Sequence, residues 1–130
     1  MVRAIRRFRP TVIVSRWVGS AADGHGHHQY SGYLTPLAFE AAADPDRFPA
    51  QITEGLAPWQ AQKLYVMPRR GDGQPTLVVD TGAPNPVTGR SYFEIGMRGR
   101  SQQKTQQMGS LELRGRQLSA LRLVESSVDA

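Results

Sequence analysis

Residues 11–29 read TVIVSRWVGSAADGHGHHQ, and the fold turns on how that stretch is parsed. Val12, Ile13 and Val14 form a continuous β-branched run, the pattern of a strand buried on both faces in a parallel sheet. The glycine-rich remainder is a loop leaving the strand's C-terminal end, the edge at which open α/β sheets bind ligands. All three histidines of the chain stand there: His25, His27 and His28. Histidine is the commonest side-chain metal ligand and an acid/base group at physiological pH. His25 and His28, three residues apart, can face one site, whereas the neighbours His27 and His28 point apart. At most two of the three converge. A catalytic zinc takes three protein donors and keeps one position for water, so at least one further ligand must come from elsewhere. Asp80 and Glu94 are possible donors, but each is better explained structurally, as a strand-end residue and a helix cap.

The bulk composition narrows the chemistry. One hundred and thirty residues allow one domain, and 39% hydrophobic with 21% charged residues is ordinary for a globular protein. With no cysteine, any metal is held by imidazole and carboxylate, which points to zinc or a similar divalent ion. No apolar run is long enough to span a bilayer. The basic N-terminus does not read as a signal peptide, which makes a cytoplasmic location the default. A net charge of +5 and a pI near 10.2 invite a nucleic-acid reading. However, Arg3, Arg6, Arg7, Arg9, Arg69, Arg70, Arg90, Arg98 and Arg100 are spread along the chain and not interleaved with aromatic residues as a stacking platform requires. The charge reads as solvated surface, compatible with an anionic small-molecule substrate and with no nucleic-acid partner.

Around the opening stretch the pattern alternates helix and strand. Val2, Ile5 and Phe8 form an apolar stripe on a short first helix that Pro10 ends. Residues 30–49 are helical; either Thr35 caps a new helix with Pro36 in its first turn, or one longer helix starting near His27 is kinked at Pro36. Strands are expected in KLYVM (63–67), TLVVD (76–80) and LSALRLVES (118–126), with Trp59 packing beside the second strand. TGAPNPVTGR (81–90) reads as a surface loop with a functional role. Ser91 and Glu94 form a capping box that should open a helix running through residue 109. The polar stretch RGRSQQKTQQMG (98–109) is either an exposed helix or a segment facing a site. The first strand should be central in a parallel sheet, yet only three or four strands are available. The pattern therefore predicts that an N-terminal part lies upstream of Met1.

DGHGHHQYSGYLTPLAFEAAADPDRFPAQ (23–51), GLAPWQAQKLYV (55–66) and TGAPNPVTGRSYFEIGMRGRSQQKTQQMG (81–109), taken together, resemble the PIG-L/LmbE-like zinc-dependent N-acetylglucosaminyl deacetylases. The resemblance implies an α/β, partial Rossmann-like three-layer fold with a mostly parallel sheet, residues 1–130 forming one partial domain. It implies zinc-assisted hydrolysis of the acetamido group of an acetylated amino sugar. His28 matches the family's third zinc ligand. His25 matches the histidine that, as a cation, stabilises the tetrahedral oxyanion. Arg100, Gln103 and Gln106 are the candidates for lining the substrate side. The family's other two zinc ligands and its general base belong to a His-Pro-Asp-Asp motif that this chain does not contain. The histidine often found in the Ser-Gln-x-Lys-Thr-Gln segment is Gln103 here. The expectation is a deacetylase fragment with little turnover alone. The rival expectation is a non-catalytic module that binds a sugar or a partner with the same pocket edge.

Overall fold

The computed structural model describes residues 1–69, 71–106 and 111–129. The chain divides into two compact units, Met1–Leu77 with Leu121–Ala130, and Val78–Ala120. The elements are α1 (Val2–Phe8), β1 (Val12–Ser15), α2 (Gly26–Ala43), α3 (Pro49–Thr53), β2 (Lys63–Val66), β3 (Leu77–Asp80), α4 (Tyr92–Arg100) and β4 (Leu118–Ser126). The four strands form one sheet in the order β1-β2-β4-β3.

β1 and β2 are parallel, with Val12 opposite Lys63 and Ser15 opposite Val66, and α2 lies on the crossover between them. Parallel neighbours need such a crossover, so this is a βαβ unit. β4 runs antiparallel to β2, with a register break between Leu64 and Tyr65. Thr76 N–H donates to Leu121 O and Thr81 N–H to Gln117 O, so partner numbers fall along β4 as they rise along β3, and the two strands are antiparallel too. The protein is α/β as expected, but its sheet is mixed rather than mostly parallel.

In the first unit, one sheet face is sealed by α2. Phe39, Ala61 and Leu64 are buried together, with Ile13 and Val124 packed against them. The alternate residues of β1, Val12 and Val14, are 47% and 51% exposed, so the expected burial on both faces is not seen. Successive strand side chains face opposite sides, so Ile13 meets the α2 face while Val12 and Val14 point away from it; β1 also lies at the edge of the sheet, not its centre. Trp59 packs as expected, its indole N–H donating to the Pro10 carbonyl at 2.8 Å.

α1 corrects the apolar-stripe reading. Val2 joins Ala38, Ala41 and Ala42 of α2, with Ile5 beside them, but Phe8 is 82% exposed and Arg6 only 2%. The carbonyls ending a helix have no intrahelical partner, and Arg6 supplies donors to those of α2 and the turn after it. Its Nε reaches Ala42 O at 3.1 Å, and its Nη2 reaches Ala41 O at 3.1 Å, Asp44 O at 2.6 Å and Arg47 O at 2.8 Å. Val2 and Arg6 share a face at i, i+4, which turns Phe8 outward.

Of the two readings of Pro36, the longer helix is the one adopted: α2 is continuous from Gly26, with Pro36 inside it. The Thr35 hydroxyl donates to Ser31 O at 2.7 Å in the turn before the proline.

In the second unit, the capping box opens α4 as expected. Glu94 N–H donates to Ser91 Oγ at 3.1 Å, and Ser91 N–H donates to Glu94 Oε2 at 2.9 Å. The helix ends at Arg100 instead of running through residue 109, and a 3-10 turn covers Lys104–Gln106. α4 buries no residue and carries Gly96 and Gly99, so neither packing nor propensity extends it. Residues 107–109 of the expected helix lie outside the described residues.

Candidate functional site

The histidines stand where β1 delivers its chain at the C-terminal end. Ser15 starts the turn: its hydroxyl accepts from Trp17 N–H at 3.2 Å and donates to Trp17 O at 2.7 Å. The loop then folds around one buried carboxylate. Asp23 Oδ2 accepts the N–H groups of Val18, Gly19 and Ser20 at 3.0, 2.7 and 3.2 Å. Its other oxygen lies 3.5 Å from the Arg69 guanidinium. A carboxylate gathering three backbone donors fixes a loop that has few side chains of its own to pack.

Two glycines let that loop lie against α2. Gly19 adopts φ +87, and a Cβ at Gly32 would sit 2.1 Å from Gly19 N. Only backbone meets backbone there, which brings the first turns of α2 under the loop. The Gln29 carboxamide adds a clip by donating to Gly24 O.

His28 is oriented by this scaffold. Its Nδ1 is 3.0 Å from the Asp23 carbonyl oxygen. A carbonyl can only accept, so the proton is on Nδ1 and the lone pair of the neutral ring is on Nε2. A histidine held through one nitrogen by a backbone carbonyl, with the other presenting its lone pair, is in the state metal ligation uses. Trp17 stacks on the ring, with centroids 3.6 Å apart and planes at 13°. His25 also lies against it, at 3.9 Å and 32°. His27 meets His25 edge-on at 5.8 Å. As the spacing implied, His25 and His28 come together. The Arg16 and Arg69 guanidinium groups lie 5.4 and 5.2 Å from the Trp17 ring centre, within cation–π range. The cluster is thus edged by positive charge, suited to an anion or a developing oxyanion.

The donor count tests whether a metal fits. Among the described residues, no three His, Cys, Asp or Glu side chains are grouped to hold one. Asp80 Oδ1 is engaged by the Gly82 and Gln117 N–H groups, and Glu94 caps α4. Both therefore have the structural roles their positions implied. The described residues present one oriented imidazole donor, not the three of a catalytic zinc. Arg100 and Gln103 lie in the second unit, at the end of α4 and in the turn after it. The Gln106 side chain lies outside the described residues.

Sequence reasoning missed Trp17 and Arg69 and saw Asp23 only as a flanking acid. The Ser20-x-x-Asp23 spacing, a helix-start pattern, could have flagged Asp23. Nothing local marks Arg69, which reaches the loop from beyond β2.

A histidine cluster at the C-terminal end of a parallel strand, on a βαβ unit, makes this an α/β protein with its candidate site at the sheet's ligand edge. Over 65 residues the chain is 42% identical to 1D-myo-inositol 2-acetamido-2-deoxy-alpha-D-glucopyranoside deacetylase 1 of Frankia alni. The match takes in 50% of this chain and 21% of that relative, so the chain matches about a fifth of the relative's length. The similarity supports a relationship to a deacetylase. No family model matches the chain. No helix among the described residues is long and apolar enough to cross a membrane.

Proposed function

We propose that this chain forms part of a PIG-L/LmbE-like, metal-dependent deacetylase that removes the N-acetyl group from an N-acetylglucosamine-type substrate. The observation that carries the proposal is the 3.0 Å approach of His28 Nδ1 to the Asp23 carbonyl, which favours the tautomer whose lone pair is on Nε2. In this reading His28 supplies one zinc ligand. His25, tilted against it, stabilises the tetrahedral oxyanion as a cation. The name of the Frankia relative supports an acetamido-sugar substrate. Arg100, Gln103 and Gln106 are the substrate-side candidates.

In this reading the remaining ligands and the general base are supplied by a further polypeptide segment, of the same protein or of a partner. β1 lies at the sheet edge, where a parallel strand would deliver its own C-terminal end beside the histidine loop. This chain alone is expected to show little turnover.

A zinc titration against a chromophoric chelator tests the reading. The chain should bind zinc weakly, His28→Ala should abolish that binding, and His27→Ala should leave it unchanged. Zinc affinity that survives His28→Ala contradicts the assignment. Zinc-independent binding of N-acetylglucosamine would favour the non-catalytic module instead. Rapid zinc-dependent acetate release by this chain alone would overturn the incomplete-site part of the proposal.

A further inference from the structure

The loop of residues 81–90 builds one wall of a cleft of about 410 Å³ that lies wholly within the second unit. Small-molecule pockets span roughly 300–1,000 Å³, so the size suits a compact ligand. The wall is stiff. Asn85 Oδ1 accepts the N–H groups of Val87 and Thr88 at 2.9 and 3.1 Å, and its own N–H donates to Arg90 O at 2.7 Å. Pro84 pairs with Ser91 in an isolated bridge, and Pro86 restricts the turn between them. At the floor, Gly82 runs so close to Gly115 that a Cβ would lie 2.0 Å from the Gly115 carbonyl oxygen.

The lining is polar, with charges of both signs. Arg90 Nη1 touches Glu112 Oε2 at 3.1 Å, and Arg114 Nε touches Glu94 Oε1 at 3.4 Å. These are single-point contacts, and the Arg114 side chain is 90% exposed. Single-point pairs at the surface hold weakly, so both guanidinium groups can turn to a ligand that engages them by two bonds. Glu94 keeps its charge, because the Ser91 N–H and hydroxyl, and then Arg114, hold its carboxyl below the ordinary range.

We infer that this cleft binds a small hydroxylated anion, a sugar phosphate or sugar acid, with Arg90 and Arg114 on the anionic group and the Glu94 carboxylate and Thr88 hydroxyl on the ligand's hydroxyls. The inference is independent of the deacetylase reading, none of whose candidate residues (His25, His28, Arg100, Gln103, Gln106) lines this cleft. The mixed lining is what selects this class. A bare phosphate would meet the Glu94 carboxylate without compensation, and a neutral sugar would not draw the two guanidinium groups from their carboxylate partners.

Titration calorimetry of the full chain with glucose 6-phosphate, gluconate, glucose and inorganic phosphate tests it. At least one of the two hydroxylated anions should bind about tenfold more tightly than both glucose and phosphate. Arg90→Gln and Arg114→Gln should each weaken that binding about tenfold, while the exposed control Arg116→Gln leaves it unchanged, with circular dichroism verifying that all three variants stay folded. Failure of both anions to bind at 10 mM, equal binding of bare phosphate, or indifference to both arginine substitutions would overturn the inference. Preference for glucose 6-phosphate or for gluconate identifies the anionic group.

Discussion

Replacing Gly32 with alanine places a methyl group 2.1 Å from Gly19 N and 2.8 Å from both Gly19 Cα and Val18 C. All three are backbone atoms, so no side chain can swing aside. Restoring ordinary contact needs a retreat of about 1.3 Å between α2 and the loop. α2 is pinned by Phe39, Ala38, Ala41 and Ala42 in its two core clusters, so the loop must give. That motion strains the three N–H bonds to Asp23 and the His28–Asp23 bond. Overpacking of this kind costs about 1–3 kcal/mol, to which weakened charge-assisted bonds add, while alanine over glycine in a helix returns up to about 1 kcal/mol. The net is a loss of about 2 kcal/mol. Gly26→Ala is the internal control: same helix, same change, and nothing within 4 Å of the added Cβ. It should be neutral or stabilising by up to about 1 kcal/mol. Urea unfolding followed by far-UV circular dichroism and by tryptophan fluorescence reads both, with coincidence of the two probes verifying two-state behaviour. A Gly32→Ala variant as stable as the parent would refute the claim that loop and helix meet backbone to backbone.

Three further outcomes follow from the same geometry. Arg6→Met should destabilise the chain by about 3 kcal/mol, because it leaves two buried and two part-buried carbonyls without their donor; a urea midpoint within error of the parent would contradict that role. Asp23→Asn keeps an acceptor oxygen but loses the charge and sets an amide beside Arg69, so it should cost about 2 kcal/mol and weaken zinc binding through His28. Acid should also weaken the fold. Arg3 lowers the Glu54 carboxyl chiefly by hydrogen bonding, and Ser91 does the same for Glu94. Both folded values lie below the ordinary 4.5, so their stabilisation is complete above that pH and is lost as pH falls through the lowered values. Urea midpoints from pH 6 to pH 3 should show the fall, and Glu94→Gln should flatten it.

Much of the chain's local structure was legible in its sequence. LSALRLVES forms β4 over Leu118–Ser126, and the Ser91/Glu94 capping box opens α4, because a short apolar-rich run and a reciprocal cap are local signals. The approach of His25 to His28 was also legible, since it depends only on helical spacing. The failures share a physical cause, in that each depends on partners distant in sequence. Phe8 reads as core until the carbonyls at the end of α2 claim Arg6, some thirty-six residues away. Val12 and Val14 read as doubly buried until α2 packs on the Ile13 side of β1 and leaves them half exposed. Asp23 reads as a flanking acid until three N–H groups fold onto it, and Arg69 approaches it from beyond β2.

The central claim is that His28 is a metal ligand prepared by the Asp23 carbonyl, and long-range proton–nitrogen NMR of the three imidazoles during a zinc titration tests it most directly. Without zinc, His28 should show the proton on Nδ1 at neutral pH. As zinc is added, the ligation shift should appear at His28 Nε2, while the His27 nitrogens hold still. A His28 ring protonated on Nε2, or a zinc shift centred on His27, would contradict it.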